Sequence, residues 1–164
     1  LLDELENNMS DHKVLVFSQF TSMLDILSAE MHKRGLSHFI LTGATPPKER
    51  NRLVLAFNQE EQENRIFLLS LKAGNAGLNL TAADYVFLFD PWWNHAVEQQ
   101  AIDRTHRIGQ QKSVFAYKMI CRNSIEEKIM QLQDRKKNLS KELIPEEEGF
   151  VKALSEEDVQ FLFG

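Results

Sequence analysis

The chain has little cysteine and no long apolar run, and both shortages restrict the kind of protein it can be. Its single cysteine, Cys121, has no second cysteine to pair with in an internal disulfide, which is typical of a reducing intracellular compartment. We expect Cys121 in the core, because its neighbours are apolar. No apolar stretch approaches the length of a membrane span, and Leu1–Glu4 has no signal-peptide character. We therefore expect an intracellular domain, and the start at Leu within a helical pattern predicts a piece of a longer protein.

Several signatures of catalysis are also missing. No Gly-Lys-Ser/Thr follows a glycine-rich loop, so a Walker A loop is absent, and no dinucleotide fingerprint follows the first predicted strand. His32, His95 and His106 lack the spacing of metal ligands, and we predict no metal site. No Ser/His/Asp or Cys/His arrangement suggests nucleophilic catalysis.

The charge is unevenly distributed. The net charge is −5, and residues 145–164 contain six acids and one lysine, so this tail accounts for the whole excess. Residues 101–141 contain ten Lys or Arg against four Asp or Glu. A basic stretch of that size could follow a phosphate backbone.

Apolar runs and helix signals alternate along the chain. Strand-like runs occupy residues 13–18, 37–42, 65–71, 85–90 and 113–120, and helical patterns occupy 20–34, 45–58 and 124–139. Gly35 marks a helix end, and Thr45-Pro46-Pro47 marks a helix start with proline in the first turn. Ser124 with Glu127 predicts a capping box, and Ser155 predicts the cap of a last short helix. Apolar strands separated by helices predict an α/β fold with a mainly parallel sheet flanked by helices. Ligands of such sheets bind at the carboxyl ends of the strands.

The loop from Ser70 to Leu80 follows the third predicted strand. Gly74 and Gly77 would let backbone N–H groups approach a phosphate or ribose, and Lys72 adds a positive charge. A glycine-rich turn also occurs without any ligand, so this loop alone predicts little.

Two adjacent indoles follow the fourth predicted strand, in Asp90-Pro91-Trp92-Trp93-Asn94. We expect Trp92 in the core. Adjacent residues of a turn point in different directions, so Trp93 should face outward, where it could stack on a sugar or enter a groove.

The most informative segment runs from Gln99 to Gln110. On a helix, Arg104 and Arg107 share one face, with Gln100 one turn earlier. Guanidinium groups stay charged and bind phosphate oxygens in pairs of hydrogen bonds. The pair therefore indicates a site that binds a polyphosphate in the transition state of phosphoryl transfer.

Five segments, in this order, resemble those of the second RecA-like lobe of superfamily-two helicases, and specifically of the Swi/Snf family of double-stranded DNA translocases. They cover about residues 1–140 and are Val14–Phe20 (motif IV), Leu41–Thr45, Ser70–Leu80 (motif V), Asp90–Asn94 and Gln99–Gln110 (motif VI). Two positions depart from the family pattern: Asn75 replaces a glycine of motif V, and His95 replaces a frequent proline. Asparagine tolerates a left-handed backbone, so we expect the loop shape to persist.

The resemblance implies a three-layer RecA-like lobe over residues 1–123, a brace helix over 124–144 and an acidic tail with a short helix over 145–164. It also implies a split site, in which a separate first lobe of the same parent chain supplies the Walker A lysine and the Asp-Glu pair for Mg²⁺. ATP and Mg²⁺ would be held mainly there, and this chain alone should be inactive.

The resemblance assigns three sets of residues. The implied catalytic residues are Arg104 and Arg107, as arginine fingers, and Gln100, which would orient the γ-phosphate or attacking water. The implied ATP-binding residues are Gly77, Asn79 and Asp103. The implied contacts to the DNA backbone are Ser18, Gln19, Thr42, Thr45, Lys72, Trp93 and Asn94. The expected partners are the first lobe, double-stranded DNA and a DNA-bound protein whose identity the sequence leaves open.

Three other interpretations compete with this one, and two of them, a binding module and a transferase, differ from it in class. A non-catalytic DNA- or protein-binding module could use the same scaffold. An RNA helicase lobe is disfavoured by Arg107-Ile108-Gly109-Gln110, where RNA helicases generally place another arginine. A small-molecule transferase would need a nucleotide fingerprint after the first strand, and Ser18-Gln19-Phe20 is not one. The absence of a large accessory domain after the brace helix favours a bacterial cytoplasmic enzyme, and we expect the acidic tail to be an inert terminus rather than a latch on the lobe.

Overall fold

Five parallel strands form one sheet, as the sequence predicts. A computed structural model describes residues 1–7, 11–60, 63–74, 77–90, 102–103, 113–139 and 154–164. The strands are β1 (Val14–Ser18), β2 (His38–Leu41), β3 (Ile66–Ser70), β4 (Tyr85–Leu88) and β5 (Phe115–Lys118). Their order across the sheet is β2-β3-β1-β4-β5, and every neighbouring pair is parallel. All carboxyl ends therefore meet at one edge, which we call the carboxyl edge, opposite the amino edge.

The central strands are apolar on both sides because helices cover both faces of the sheet. All five residues of β1 and all five of β3 are buried. On one face Phe17, Phe67 and Leu69 pack with Leu53 and Phe57, and on the other Val14, Val16 and Leu68 pack with helix residues such as Leu24. This double-sided burial confirms the predicted layered α/β architecture.

Six helices are described: α1 (Leu2–Asn7), α2 (Thr21–Lys33), α3 (Pro47–Asn58), α4 (Leu71–Gly74), α5 (Ile125–Leu139) and α6 (Glu156–Phe163). Helix α2 ends as predicted at Gly35, whose φ of 71° is in the left-handed region. There the Gly35 N–H donates to His32 O at 3.1 Å and the Leu36 N–H to Met31 O at 2.9 Å, the bond pattern of a Schellman motif. Helix α3 begins at Pro47, two residues after the predicted start at Thr45, and has proline in its first turn as predicted.

An ion-pair group joins α1 to the end of α2. One guanidinium nitrogen of Arg34 lies 2.5 Å from Asp3 Oδ1 and 3.4 Å from Glu6 Oε2. The hydrogen bond from Arg34 lowers the pKa of the Asp3 carboxyl. All three side chains reach solvent, so the group orients α1 more than it stabilises the fold.

Strand β5 and Cys121 differ from expectation. All four residues of β5 are exposed, and Phe115 and Tyr117 stack with Tyr85 along one side. An outer strand has only one neighbour, so its side chains are less covered than those of β1. The prediction of a core Cys121 was wrong: the thiol is exposed, because β5 ends at Lys118 and Cys121 lies in the following turn.

The C-terminal helices pack on each other. Leu132 of α5 and Leu162 of α6 are both buried in one small cluster, and the Arg135 guanidinium lies 4.7 Å from the centre of the Phe161 ring. Ser155 caps α6 in a capping box with Asp158, as predicted. The tail helix therefore has a docking partner, α5, which the expectation of an inert terminus did not include.

The start of α5 is held differently from the predicted capping box. The Asn123 N–H donates to the Glu127 carboxylate at 2.8 Å, and the Ser124 hydroxyl donates to Cys121 O at 2.7 Å. The carboxylate therefore reaches one residue further back than in a capping box, where it would bond the Ser124 N–H. Asn123 makes this possible because its φ of 56° turns the backbone sharply.

Within the described ranges, no helix combines the length and apolar character needed to span a membrane. The proposed boundaries at 123/124 and 144/145 remain predictions.

Candidate nucleotide and nucleic-acid site at the carboxyl edge

The carboxyl edge brings together segments that are far apart in sequence. Ser18 and Ser70 are register partners at the ends of β1 and β3. Beside them, the Phe89 N–H donates to Phe17 O at 2.9 Å, which carries the β4 chain past Leu88 and places Asp90 next to Ser18. Three of the predicted site segments thus meet at one edge because the sheet is parallel.

Asp90 binds the loop that follows β1. The Ser18 hydroxyl donates to Asp90 Oδ2 at 2.6 Å, and the Gln19 backbone N–H donates to Asp90 Oδ1 at 2.8 Å. The Ser18 oxygen also accepts from the Phe20 N–H at 3.1 Å. Ser18 was expected to contact DNA, but its side chain has no exposed surface. This burial argues against a direct contact, and we assign Ser18 to holding the loop.

Gln19 and Phe20 form the accessible part of the same loop. Gln19 is half-buried, and its side-chain oxygen Oε1 is buried with no hydrogen-bond partner among the residues that the structure describes. Phe20 is 52% exposed, an unusual position for a large aromatic residue beside a polar site. Sequence reasoning did not include Phe20 among the candidate contacts, although an aromatic residue directly before a helix start is a recognisable signal.

The loop from Thr42 to Thr45 is held by its own threonines. The Thr42 N–H donates to Thr45 Oγ1 at 3.0 Å, and the Thr45 N–H donates to Thr42 O at 3.1 Å. Arg50 of α3 donates from Nε to Thr45 O at 2.8 Å and from Nη2 to Gly43 O at 3.0 Å. Both threonines are half-buried, so they retain surface for a ligand. Sequence reasoning missed Arg50, because nothing local to α3 shows that its side chain turns back to the loop.

Lys72 projects from a short helix, where a loop was predicted. Leu71 and Ala73 are buried, and Lys72 between them is exposed. The Ser70 hydroxyl accepts from the Ala73 N–H at 3.3 Å and caps the single turn of α4. The turn therefore directs Lys72 outward at the carboxyl edge.

Gly77 and Asn79 occupy different places. Gly77 has a φ of 76°, which favours glycine, and it is exposed with open space around it. The Asn79 carbonyl accepts from the side-chain amide of Asn58 at 2.8 Å. Asn58 ends α3, which runs from the carboxyl edge back to the amino edge, so this position does not favour Asn79 as an ATP ligand beside Lys72.

Most of the predicted arginine segment lies outside the described residues. Gln100, Arg104 and Arg107 are among the residues that are not described. The same holds outside the segment for Trp93 and Asn94, and for the two departures from the family pattern, Asn75 and His95. Ile102 and Asp103 are described: Ile102 packs against the core cluster that contains Leu15 and Phe67, and Asp103 is exposed. Part of the segment is thus anchored on the same face of the sheet as α3.

No group of three His, Cys, Asp or Glu side chains in the described part of the chain could hold a metal ion. Among the described residues, the polar groups at the carboxyl edge include the hydroxyls of Thr42 and Thr45, the amide of Gln19, the ammonium of Lys72 and the carboxylate of Asp90. Such a set of groups can bind the phosphates of a nucleic acid.

Comparison with known proteins gives consistent results. The family model described as "Helicase conserved C-terminal domain" matches residues 1–109. The chain is 42% identical over 163 residues to an ATP-dependent helicase of Mycoplasma genitalium, covering 99% of this chain and 15% of that protein. It is 43% identical over 162 residues to the DNA repair protein RAD5B of Arabidopsis thaliana, covering 99% of this chain and 12% of that protein. It is 46% identical over 151 residues to the ATP-dependent helicase rhp16 of Schizosaccharomyces pombe, covering 92% of this chain and 17% of that protein.

A solved structure supports the same grouping. The C-terminal part of the Fun30 ATPase domain superposes with a TM-score of 0.74 at 35% identity, covering 92% of this chain and 46% of that chain. The chain therefore spans only a small part of the curated relatives it matches. Those relatives include bacterial and eukaryotic proteins, so the expected bacterial origin stays a prediction.

Proposed function

The chain belongs to the helicase conserved C-terminal domain family, as the RecA-like lobe of a Swi/Snf-type ATP-dependent helicase, and from this membership we propose that it is the second motor lobe of an ATP-driven translocase of double-stranded DNA. Its parallel sheet presents the loops after β1, β2 and β3 at one edge, with Gln19, Thr42, Thr45 and Lys72 at least partly accessible. This shared edge is the observation on which the proposal mainly rests.

The accessible groups suit a phosphate backbone. Threonine hydroxyls, an amide and a lysine are common partners of phosphate oxygens, and such contacts position a protein without reading sequence. Arg50 fixes the carbonyls of Gly43 and Thr45 and so holds the threonine loop in one shape. A loop that is ordered before binding loses less conformational entropy when DNA arrives.

ATP hydrolysis needs groups that this chain does not contain. Its sequence has no Walker A loop, so the ATP phosphates and Mg²⁺ would be bound by a first lobe. In the proposed closed state, Arg104 and Arg107 reach across the cleft and neutralise charge that develops on the transferred phosphoryl group. Gln100 orients the γ-phosphate or the attacking water, and Gly77 and Asp103 lie beside the nucleotide.

The relative motion of the two lobes would drive translocation. The lobes close when ATP binds and reopen after hydrolysis. During this cycle the two lobes bind and release the same DNA strand alternately. The carboxyl edge then moves along the backbone, and a DNA-bound protein in the path is remodelled or displaced.

Arginine variants of a complete two-lobe motor test this proposal. Arg104→Ala and Arg107→Ala should retain ATP binding and lose DNA-stimulated hydrolysis by about 10³-fold or more, since an arginine finger contributes about 10³–10⁵ to turnover. Arg52→Ala is a matched control, because Arg52 forms an exposed pair with Glu49 on α3, at 2.6 Å. Near-normal hydrolysis in both arginine variants would refute the arginine-finger assignment.

A further inference from the structure

Phe20 occupies a position that is unfavourable for an aromatic residue in two ways. It is the N-cap of α2, where Ser, Thr, Asp and Asn are preferred because their side chains accept a hydrogen bond from the first turn. A phenyl ring cannot accept such a bond, and the start of α2 has no side-chain cap. The ring is also 52% exposed, so much of its apolar surface stays in water. A local choice that costs stability twice is typical of a functional position.

The backbone of Phe20 is held in place on both sides. Its N–H donates to Ser18 Oγ at 3.1 Å, and its carbonyl accepts from the Met23 N–H at 3.1 Å. Ser18 is itself buried, and its hydroxyl lies 2.6 Å from Asp90 Oδ2. An exposed ring is therefore attached to an ordered backbone, so little further conformational entropy is lost when a ligand covers it.

The neighbours of Phe20 indicate which part of a nucleic acid its ring would meet. The groups assigned to phosphate oxygens at the same edge are Gln19, Thr42, Thr45 and Lys72. A phenyl ring offers a phosphate neither a charge nor a hydrogen bond, so it needs an apolar surface close to the phosphates. In every nucleic-acid strand the group next to each phosphate is the sugar, whatever the base sequence. A contact with the sugar therefore suits a protein that positions itself on the backbone without reading sequence.

We propose that Phe20 packs against a sugar of the bound duplex and selects deoxyribose over ribose. This inference rests on the proposed function. Deoxyribose has a CH₂ group at its 2′ position, which can pack on the ring. Ribose has a hydroxyl there, the group by which a protein can distinguish RNA from DNA. The ring displaces water from that hydroxyl and gives it no hydrogen-bond partner, which weakens binding.

The test measures the affinity of a complete two-lobe motor for three short duplexes of one sequence, by fluorescence anisotropy without nucleotide. Both strands carry deoxyribose, ribose or 2′-fluoro sugars. A 2′-fluoro sugar favours the same duplex shape as ribose but has no hydroxyl, so the affinity ratio of these two duplexes reports the hydroxyl alone. Low salt keeps all three duplexes in the measurable range. The wild type should bind the 2′-fluoro duplex about fivefold to twentyfold more tightly than the ribose duplex.

Variants of Phe20 separate sugar selection from support of the fold. Phe20→Ser introduces a capping side chain, so the melting temperature should rise or stay the same. Its preference for the 2′-fluoro duplex should fall below about twofold, because the ring is gone. Phe20→Leu keeps an apolar side chain and should retain most of the preference. Leu55→Ser is the matched control and should behave as the wild type, since Leu55 is 68% exposed in the last turn of α3, at the amino edge.

Several outcomes would overturn the inference. Equal affinity of the wild type for the ribose and 2′-fluoro duplexes is one, and an unchanged preference in Phe20→Ser is another. Weaker binding of Phe20→Ser to all three duplexes, with the preference intact, would indicate that the ring contacts bases instead of sugars. An equal loss of preference in Leu55→Ser would remove the special role of Phe20. A wild-type motor that does not bind duplex DNA would contradict the proposed function itself, whatever the Phe20 variants do.

Discussion

At each end of the β1–β4 pair an aspartate next to β4 binds the chain next to β1, Asp84 at the amino edge and Asp90 at the carboxyl edge. The surroundings of the two aspartates differ. At the amino edge, Asp84 and Lys13 are both buried, and Lys13 Nζ donates to the Phe57 and Gln59 carbonyls. At the carboxyl edge, Asp90 is only half-buried, and Gln19, Phe20 and Lys72 beside it reach solvent. At one end the polar groups bind within the fold, and at the other several remain accessible. The same pair of strands therefore contributes stability at its amino edge and a binding surface at its carboxyl edge.

Removing the buried ammonium group should produce the largest effect on stability at the amino edge. In Lys13→Met the stem still packs on Phe57, but the carbonyls of Phe57 and Gln59 lose their donor. Leaving the buried Phe57 carbonyl unpaired costs about 1–3 kcal/mol, whereas the exposed Gln59 can bind water instead. We expect that loss in the free energy of unfolding measured by chemical denaturation, with DNA affinity unchanged. A loss of DNA affinity without a loss of stability would break the comparison between the two edges.

A substitution of Lys72 tests the carboxyl edge in the same way. Its expected effect is smaller and falls on DNA affinity, not on stability. Lys72→Ala should weaken binding to all duplex sequences alike and reduce the slope of log affinity against log salt by about 1, because one phosphate contact disappears. The free energy of unfolding should not change, since Lys72 is exposed. Lys33→Ala is the matched control, a solvent-exposed lysine at the end of α2. Equal salt slopes for Lys72→Ala and the wild type would remove Lys72 from the DNA contacts.

Local patterns predicted the elements of this fold well. Apolar periodicity and the placement of glycine, proline and serine predicted the strands, the helix end at Gly35, the start of α3 to within two residues and the Ser155 cap. Each of these features depends on neighbours within a few residues. The edge at which the loops meet followed from the prediction of a parallel sheet. The strand order could not be obtained in this way, because pairing between β3, β1 and β4 depends on contacts across long sequence separations.

The structural features that could not be predicted from the sequence depend on residues that are far apart in the chain. The Ser18 hydroxyl binds Asp90, 72 positions away, and no local pattern indicates this contact. Arg50 reaches back to the threonine loop, and Cys121 is exposed because β5 stops early. Each of these features is set by tertiary packing, whereas the motif residues were recognised because their order along the chain is itself the signal.

The most direct test of a split active site is ATP turnover by this chain alone and by the same chain joined to a first RecA-like lobe. We predict no hydrolysis by the chain alone, with or without duplex DNA, and DNA-stimulated hydrolysis by the joined protein. Robust turnover by the purified chain alone would contradict the account, because a complete catalytic site would then have to lie within these 164 residues.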